Sequence, residues 1–326
     1  MAVPIILQIL FGFYHFLAVV TVPANLVTIV ILSRGKCGLG KGVSMYLVSM
    51  ATADLLVVLF SMVLPTLIPK YVRVPFFFYT AVCSSNAVLG YAAIDCSVWL
   101  TIAFTIDRFV AICCHNLKAR YCTQKTAMAV IATVSLVNIL RNVPFYFKHQ
   151  PRGTLGGVPW GCATRPDFFN LPGWVAFFWL HHLLNPLIPY LLILLFNALT
   201  VRHIVLANRA RRGLRASSQE EKREDTEMAN RRKSIILLFV VSGSFILLWM
   251  TKISVFLLME ISNQHFYPSY NHPIIIADVT GSMLFYLSSC TNTTIYALTQ
   301  RKVREELKRA VKYPLILIME LVSSFK

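Results

Sequence analysis

The sequence predicts an all-α membrane protein that folds as a bundle of seven membrane-spanning helices. Of its 326 residues, 56% are hydrophobic and only 14% are charged, whereas soluble domains average about 45–50% apolar and about 25% charged residues. So few charged side chains cannot cover the surface of soluble domains of this length. The 22 Phe and 13 Tyr exclude a disordered chain, and eight Cys are too few for a small disulfide scaffold in so long a chain.

Seven apolar runs are long enough to cross a bilayer, which takes about 20 residues each. They cover residues 3–32, 44–68, 80–114, 126–147, 174–206, 234–260 and 272–298. The first run begins almost at Met1, without a basic stretch or a small-residue cleavage site before it. We therefore expect it to be the first span and not a cleaved signal peptide.

The net charge of +17 is concentrated in alternate connections between the runs. Of the 31 Lys and Arg residues, 24 lie on one side of a seven-span arrangement. By the positive-inside rule that side is cytoplasmic, so we expect a multi-pass plasma-membrane protein with its N-terminus outside and its C-terminus inside. Such a basic surface suits membrane lipids with anionic headgroups or a cytosolic protein, and no nucleic-acid partner is expected.

Five ionisable residues lie inside the predicted spans: Asp54, Asp95, Asp107, Arg141 and Lys252. Charged groups within a bilayer are costly and usually mark function. The sequence contains no Gly-rich phosphate loop, no Cys/His cluster with metal-ligand spacing and no G-x-S-x-G motif, so no enzymatic activity is expected. A secondary transporter or channel that uses Asp54, Asp95 and Lys252 as an ion relay is an alternative, although the internal repeats of many transporters are missing.

Seven short motifs follow one another in order along the chain. They are Asn25, Asp54, Cys83 with Cys162, Asp107-Arg108-Phe109, Pro189, Trp249 and Asn292-Thr293-Thr294-Ile295-Tyr296. Together they resemble the motifs of the rhodopsin family (class A) of G-protein-coupled receptors over nearly the whole chain. This resemblance implies a cell-surface receptor with a Cys83–Cys162 disulfide that activates a heterotrimeric G protein.

The same resemblance assigns roles to residues in the half of the bundle expected to face the cytoplasm. Asp107, Arg108, Asn292 and Tyr296 would couple the receptor to the G protein; the alternative for Arg108 is an interfacial side chain that reaches lipid phosphates.

A second group of residues resembles the family's allosteric sodium site. Asp54, Ser97, Ser288 and Asn292 would hold Na⁺, because carboxylate, hydroxyl and amide oxygens suit a small hard cation. The alternative is a protonated, hydrogen-bonded Asp54 without an ion. No other cofactor is expected.

Segments 107–114, 142–147 and 198–204 resemble a vertebrate orphan-type subgroup that is associated with aromatic L-amino acids as agonists and with Gq-type coupling. This implies a small-molecule or short-peptide agonist bound by Asp95, His182, Trp249 and Lys252, with a carboxylate and a cation for a zwitterion. Alternatively, Asp95 pairs inside the protein with Arg141 or Lys252.

Other positions narrow the ligand class. Gly90 stands where the family's amine receptors carry an acid, and Tyr286 where an opsin carries its Schiff-base Lys. A monoamine receptor and a photoreceptor are therefore not expected. Tyr91, Phe178 and Phe256 would wall the ligand site or, alternatively, form bundle core.

The chain also departs from the family. Thr251 and Thr293 stand where prolines are expected in spans six and seven. Proline removes a backbone hydrogen bond and kinks a helix, so its loss should straighten and stiffen both spans. Arg231 stands where the resemblance places an acid that pairs with Arg108. This predicts that Arg108 is held weakly and that the receptor signals to some extent without ligand. A non-signalling or decoy receptor is thus a second alternative.

The sequence divides into three parts. Residues 1–298 form the receptor domain, whose third cytoplasmic loop covers about 207–233. Residues 299–312 are basic and amphipathic and should form a short eighth helix on the inner leaflet. Residues 313–326 form an apolar tail of unknown role.

Overall fold

A computed structural model describes residues 4–35, 37–72, 75–214, 221–262 and 269–309. Within these ranges, seven helices are long and apolar enough to cross a membrane. They are Ile5–Ser33, Lys41–Tyr71, Thr80–Cys113, Gln124–Lys148, Pro172–Ala207, Ile235–Ile261 and Pro273–Tyr296. Their ends agree with the predicted spans to within three residues. The predicted seven-helix membrane bundle is confirmed, and we number the spans one to seven in chain order.

Span two changes its helical form halfway. It is α-helical over Lys41–Val58, π-helical over Leu59–Leu67 and α-helical again over Ile68–Tyr71. The π segment contains Pro65, which has no N–H to donate to the carbonyl of Phe60 five residues earlier. The Asn86 side chain of span three donates to that carbonyl instead, at 2.8 Å. A wide helical turn is thus stabilised by the neighbouring span.

Spans four and five are also composite. Span four is α-helical over Gln124–Asn142 and continues as a 3₁₀ turn over Val143–Lys148. Span five is α-helical over Pro172–His182, π-helical over Leu183–Leu187 and α-helical over Ile188–Leu214. Its interruption lies at Asn185, whose backbone leaves the helical region, and at Pro186. Pro189, the residue that resembles the family's span-five proline, lies just after this break, inside the last helix.

Spans six and seven belong to uninterrupted helices, Glu221–Ile261 and Pro273–Thr299. Thr251 and Thr293, which stand where the family's prolines are expected, therefore both lie within continuous helix. The Thr293 hydroxyl accepts a hydrogen bond from the Thr28 hydroxyl at 2.9 Å and lies 3.5 Å from the Asn25 side-chain oxygen. In place of a kink, this position therefore supplies a polar contact between spans one and seven.

Four short strands cover one end of the bundle, between spans four and five. Strand β1 (His149–Gln150) pairs antiparallel with β4 (Ala163–Thr164), and β2 (Gly153–Leu155) pairs with β3 (Val158–Trp160). The two residues between β2 and β3, Gly156 and Gly157, both have positive φ, as a tight hairpin turn requires. The Cys83–Cys162 disulfide ties this loop to the start of span three. We call this end of the bundle the disulfide end and the opposite one the Arg108 end.

Short helices complete the chain: Pro75–Phe78 and Pro166–Phe169 at the disulfide end, and His115–Tyr121 between spans three and four. The predicted eighth helix is present over residues 301–309. Val303 is buried and Leu307 packs partly against the same core cluster as Tyr46, Phe104 and Tyr296, while Arg301 and Arg304 are exposed. Residues 215–220 of the predicted third loop and the predicted tail 313–326 lie outside the described residues.

Candidate functional site

The acid–base pair at the Arg108 end is formed within span three. Arg108 Nε donates to Asp107 Oδ2 at 3.0 Å, and an Nη of Arg108 contacts the same oxygen. The two side chains are only 13% and 9% exposed. The Arg108 guanidinium also lies 5.9 Å from the centre of the Phe104 ring. The Cys122 thiol donates to the backbone carbonyl of Asp107 at 3.5 Å, and burial raises the pKa of Cys122 to about 11. The Asp107–Arg108 pair is thus formed by neighbouring residues of one helix, and both side chains are largely shielded from solvent.

Asn292 and Tyr296, the other predicted coupling residues, lie deeper in the bundle. Asn292 donates to Asp54 Oδ2 at 2.7 Å and so belongs to the Asp54 site. Tyr296 is fully buried in the core cluster that contains Tyr46 and Phe104. Among the described residues its hydroxyl has no hydrogen-bond partner. This buried hydroxyl is available for a new partner if the helices rearrange.

The Asp54 carboxylate is 1% exposed and lies at the centre of the candidate cation site. Ser97 Oγ donates to its Oδ1 at 2.6 Å, while Asn292 occupies Oδ2. A void of about 10 Å³ adjoins the site and is bordered by Ser97, Ser288 and Asn292, which is about the room that one water molecule needs. Ser288 donates to the carbonyl of Phe285 at 2.6 Å, not to Asp54. Oxygen donors and a void of this size fit a small hard cation.

Asp95 is fully buried and joins spans three, four and five. Its Oδ2 accepts from Asn142 at 2.6 Å and contacts the Arg141 guanidinium, and its Oδ1 accepts from Asn185. His181 Nδ1 lies 3.9 Å from Oδ2. Of the two interpretations of Asp95 drawn from the sequence, the structure therefore has the internal pair with Arg141. In this arrangement both carboxylate oxygens are engaged by protein donors.

Lys252 pairs with an acid of span seven. Its Nζ donates to Asp278 Oδ1 at 2.6 Å and to the Ser282 hydroxyl at 3.0 Å. The Lys252 and Asp278 side chains are 35% and 33% exposed. The backbones meet close by, since a Cβ on Gly281 would lie 3.0 Å from the backbone nitrogen of Lys252. Sequence analysis missed Asp278 as the partner, because the pairing depends on how spans six and seven are aligned.

His182 and Trp249 lie in aromatic surroundings. The His182 ring stacks on Phe256 with centroids 4.4 Å apart, and its Nδ1 donates to the carbonyl of Phe178 at 2.9 Å. Trp249 is 6% exposed; it stacks on Phe245 at 4.9 Å and meets Phe285 edge-on at 4.5 Å. Trp249 also borders the void beside Asp54. It therefore separates Lys252, three residues further along span six, from the candidate cation site.

A cavity of about 1020 Å³ lies at the disulfide end, between spans two and three and next to the β2–β3 hairpin loop. Of the predicted ligand contacts Asp95, His182, Trp249 and Lys252, none borders it. Tyr91, predicted as an aromatic wall of the ligand site, does border it, and so do Gly90 and Tyr286. Sequence analysis did not predict this cavity. The available signal was Pro65 in span two, since a proline inside a helix indicates a local widening that a neighbouring span must accommodate.

The sequence pattern described as 7 transmembrane receptor (rhodopsin family) matches residues 24–296, which include the Asp54 site, the Asp107–Arg108 pair and both disulfide cysteines. The chain belongs to this family. The family consists of receptors and not of enzymes, so the expectation of no catalytic activity is confirmed. The receptor is a multi-pass protein of the plasma membrane.

Three curated relatives show low identity over most of the chain. The receptor is 26% identical to an FMRFamide receptor of Drosophila melanogaster over 305 residues, which are 89% of this chain and 51% of the relative. It is 23% identical to galanin receptor 2a of Danio rerio over 293 residues, 89% and 74% of the two chains. It is 26% identical to probable G-protein coupled receptor 142 of Mus musculus over 236 residues, 71% and 55%. The receptor thus spans about half the length of the first and third relatives.

Proposed function

We propose that this receptor stands with its disulfide end outside the cell, binds a small extracellular ligand at that end, and activates a heterotrimeric G protein at its Arg108 end. One observation supports this function above all: the enclosed Asp107–Arg108 pair at the end of span three, in a chain of the rhodopsin family. The orientation is supported by the sequence, because 24 of its 31 basic residues fall on the side of Arg108 in a seven-span arrangement. The Cys83–Cys162 disulfide agrees, because disulfides persist in oxidising surroundings.

Coupling would depend on release of Arg108. In the described arrangement its guanidinium is held by Asp107 and by the Phe104 ring, and little of it reaches solvent. A movement of span six that opens the Arg108 end would let the guanidinium turn toward a helix of the partner. A ligand can shift the population toward that open state only by the difference between its affinities for the two states.

The ligand we propose is an aromatic amino acid or a short peptide. Two relatives are named as receptors for FMRFamide and galanin, both peptides, and the subgroup resemblance described above points to aromatic amino acids and to Gq-type coupling. The one-third exposed Lys252–Asp278 pair offers a cation and a carboxylate close together, which suits a zwitterion. His182 and Phe256 add an aromatic wall, and Trp249 lies one turn deeper. Asp278 would thus take the role expected of Asp95, which instead positions spans four and five.

Sodium is proposed as an allosteric ligand of the Asp54 site. Asp54, Ser97 and Asn292 would hold it, with Ser288 beside the void. The ion would supply a positive charge that balances the buried carboxylate. The residues themselves stabilise contacts between spans two, three and seven, and any motion that closes the void would expel the cation.

A non-signalling receptor is the second candidate. It is favoured by the uninterrupted helices of spans six and seven and by the Thr28–Thr293 bond, which holds span seven against span one. Helices without a proline kink lack a built-in site of bending. Such a receptor would bind its ligand with Arg108 still enclosed.

One experiment separates these candidates. Cells expressing the receptor at a measured surface density are treated with L-Trp, L-Phe, Phe-Met-Arg-Phe-amide and galanin, and calcium release and G-protein dissociation are recorded. We expect a response to at least one of them that Arg108→Ala abolishes at equal surface density. Full efficacy in the Arg108→Ala receptor would contradict the coupling role. Ligand binding without either response in the wild type would establish the non-signalling receptor.

A further inference from the structure

We propose that the Arg108 end of the receptor has a binding site for a phosphoinositide of the inner leaflet, on a basic surface where the ends of spans two and four meet. The basic surface consists of five exposed side chains: Arg34, Lys41, Lys118, Arg120 and Lys125. The proposal rests on the orientation proposed above, which puts this surface on the cytoplasmic side of the membrane. It is argued from the charge of two short connections, the contact between two spans, and the side chains of one short helix.

The basic surface has no counter-charge of its own. From residue 34 to residue 53 and from residue 109 to residue 166, the sequence contains no Asp or Glu. Asp107 lies at the same end of the bundle, but its carboxylate is held by Arg108. None of the five cations forms an ion pair within the part of the chain that the structure describes. A cluster of positive charge without internal neutralisation favours an anionic partner.

Spans two and four bring two of the cations together at the membrane surface. Gly42 is the second residue of span two, and a Cβ added there would lie 3.5 Å from the carbonyl oxygen of Thr123 and 3.7 Å from the Cβ of Ala127. Lys41 directly precedes Gly42, and Lys125 follows Thr123 by two residues. The two lysines thus lie at adjoining ends of membrane-spanning helices. Long exposed side chains at such ends place their ammonium groups at the level of the lipid headgroups.

The short helix His115–Tyr121, which ends just before span four, adds two cations and two apolar side chains. Lys118 and Arg120 lie in its last turn, and Leu117 and Tyr121 are 45% and 48% exposed. Leu117 and Tyr121 are four residues apart and therefore share one face of the helix. A surface helix with exposed apolar and basic side chains suits the interface of an anionic membrane. This helix therefore favours a lipid over a soluble anion as the occupant.

The number of cations selects the headgroup. Clusters of about four to eight Lys and Arg beside a membrane span are typical of phosphoinositide binding. A headgroup with a single net negative charge, such as that of phosphatidylserine, would neutralise only a small part of the basic surface. An inositol ring with several phosphates can contact several of the cations at once, and its phosphates accept charge-assisted hydrogen bonds from Lys and Arg.

Direct binding tests the site without reference to orientation or signalling, so its failure and a failure of G-protein coupling are separate results. The purified full-length receptor in detergent is titrated with dioctanoyl phosphatidylinositol bisphosphate and with dioctanoyl phosphatidylinositol, and binding is followed by thermophoresis. We expect the bisphosphate to bind about tenfold or more tightly, because the added phosphates meet the basic surface. Its affinity should fall when NaCl is raised from about 0.1 M to about 0.5 M. Equal affinity for the two lipids would overturn the proposal.

Soluble inositol trisphosphate distinguishes a lipid from a free phosphate compound. It presents the same phosphates without acyl chains, so we expect it to bind more weakly than the bisphosphate lipid. An affinity equal to that of the lipid would show that the surface binds a soluble anion and would overturn the assignment to the membrane.

Matched variants locate the bound headgroup. Lys41→Gln combined with Lys125→Gln should weaken binding of the bisphosphate lipid about tenfold or more. Arg301→Gln combined with Arg309→Gln removes the same charge from the same end of the receptor, at residues that pair with acids of the eighth helix, and should leave the affinity unchanged. Unchanged binding in the lysine variant, or an equal loss in the arginine variant, would refute the assignment.

A second variant avoids the helix ends, where a substitution could disturb folding. Lys118→Gln combined with Arg120→Gln changes only exposed side chains of the short helix and should also weaken binding of the bisphosphate lipid. Thermal unfolding confirms that each variant is folded. Loss of G-protein activation in these variants with unchanged lipid binding would assign the basic surface to the partner protein and overturn the lipid site.

Discussion

The pairing of Asp95 with Arg141 makes a quantitative prediction about stability without any ligand. Asp95 is completely buried and Arg141 is 17% exposed, so the replacement Asp95→Asn leaves a guanidinium largely removed from water without its counter-charge. Breaking a buried ion pair on one side costs about 3–5 kcal/mol. At about 2 °C per kcal/mol for a large domain, the melting temperature should fall by about 6–10 °C.

The Lys252–Asp278 pair provides the matched control. Its side chains are about one-third exposed, so solvent screens the pair and Asp278→Asn should cost about 0–1 kcal/mol. The assay is thermal unfolding of the purified, ligand-free receptor, with the heating rate held constant because membrane proteins can unfold irreversibly.

The double variant Asp95→Asn with Arg141→Gln tests the pairing itself. When both charges are removed, neither is left buried without a counter-charge. The double variant should therefore be more stable than either single variant, and the double-mutant cycle should give a coupling free energy of about 1 kcal/mol or more. Additive losses would show that Asp95 and Arg141 do not interact. An Asp95→Asn receptor with unchanged ligand-free stability but weakened ligand binding would restore the interpretation of Asp95 as a ligand contact.

Three further predictions concern the polar contacts of span seven. Tyr296→Phe removes a hydroxyl that is buried without a partner among the described residues, so thermal unfolding should show unchanged or higher stability; a loss above about 1 kcal/mol would mean that the hydroxyl is paired. Thr293→Val leaves the buried Thr28 hydroxyl unpaired and should cost about 1–3 kcal/mol, of which Thr28→Val in the same chain should recover part; no recovery would argue against the bond. Sodium should lower agonist affinity in the wild type and have no effect in Asp54→Asn, and the same sodium dependence in both receptors would place the ion elsewhere.

Features that depend on the position of a residue along its own helix could be predicted from the sequence. The seven spans follow from hydropathy, and the disulfide and the Asp54–Asn292 contact follow from motifs whose places in the bundle are shared across the family. Partners of isolated charges were harder, because a charge within a span does not show which neighbouring helix it faces. Asp95 had two candidate partners, Arg141 and Lys252. Which of them faces Asp95 depends on how spans four and six are rotated about their axes.

The cavity between spans two and three was beyond prediction for a related reason. It depends on a π-helical segment over Leu59–Leu67, on the bond from Asn86 to Phe60, and on a loop held by a disulfide. Each of these is a contact between parts of the chain that are distant in sequence. Such contacts cannot be predicted from the helical propensity of short segments, although Pro65 indicates where a span departs from regular helix.

Span six joins the two proposed binding regions through one short stretch of helix. Lys252 and Trp249 are three residues apart and therefore lie on neighbouring parts of one helix face. Lys252 is paired with span seven, whereas Trp249 borders the void beside Asp54. If a ligand that draws Lys252 away from Asp278 also turns this part of span six, Trp249 would move against the void. Agonist and cation would then prefer different arrangements of the same helix, and each must weaken the other by the same factor.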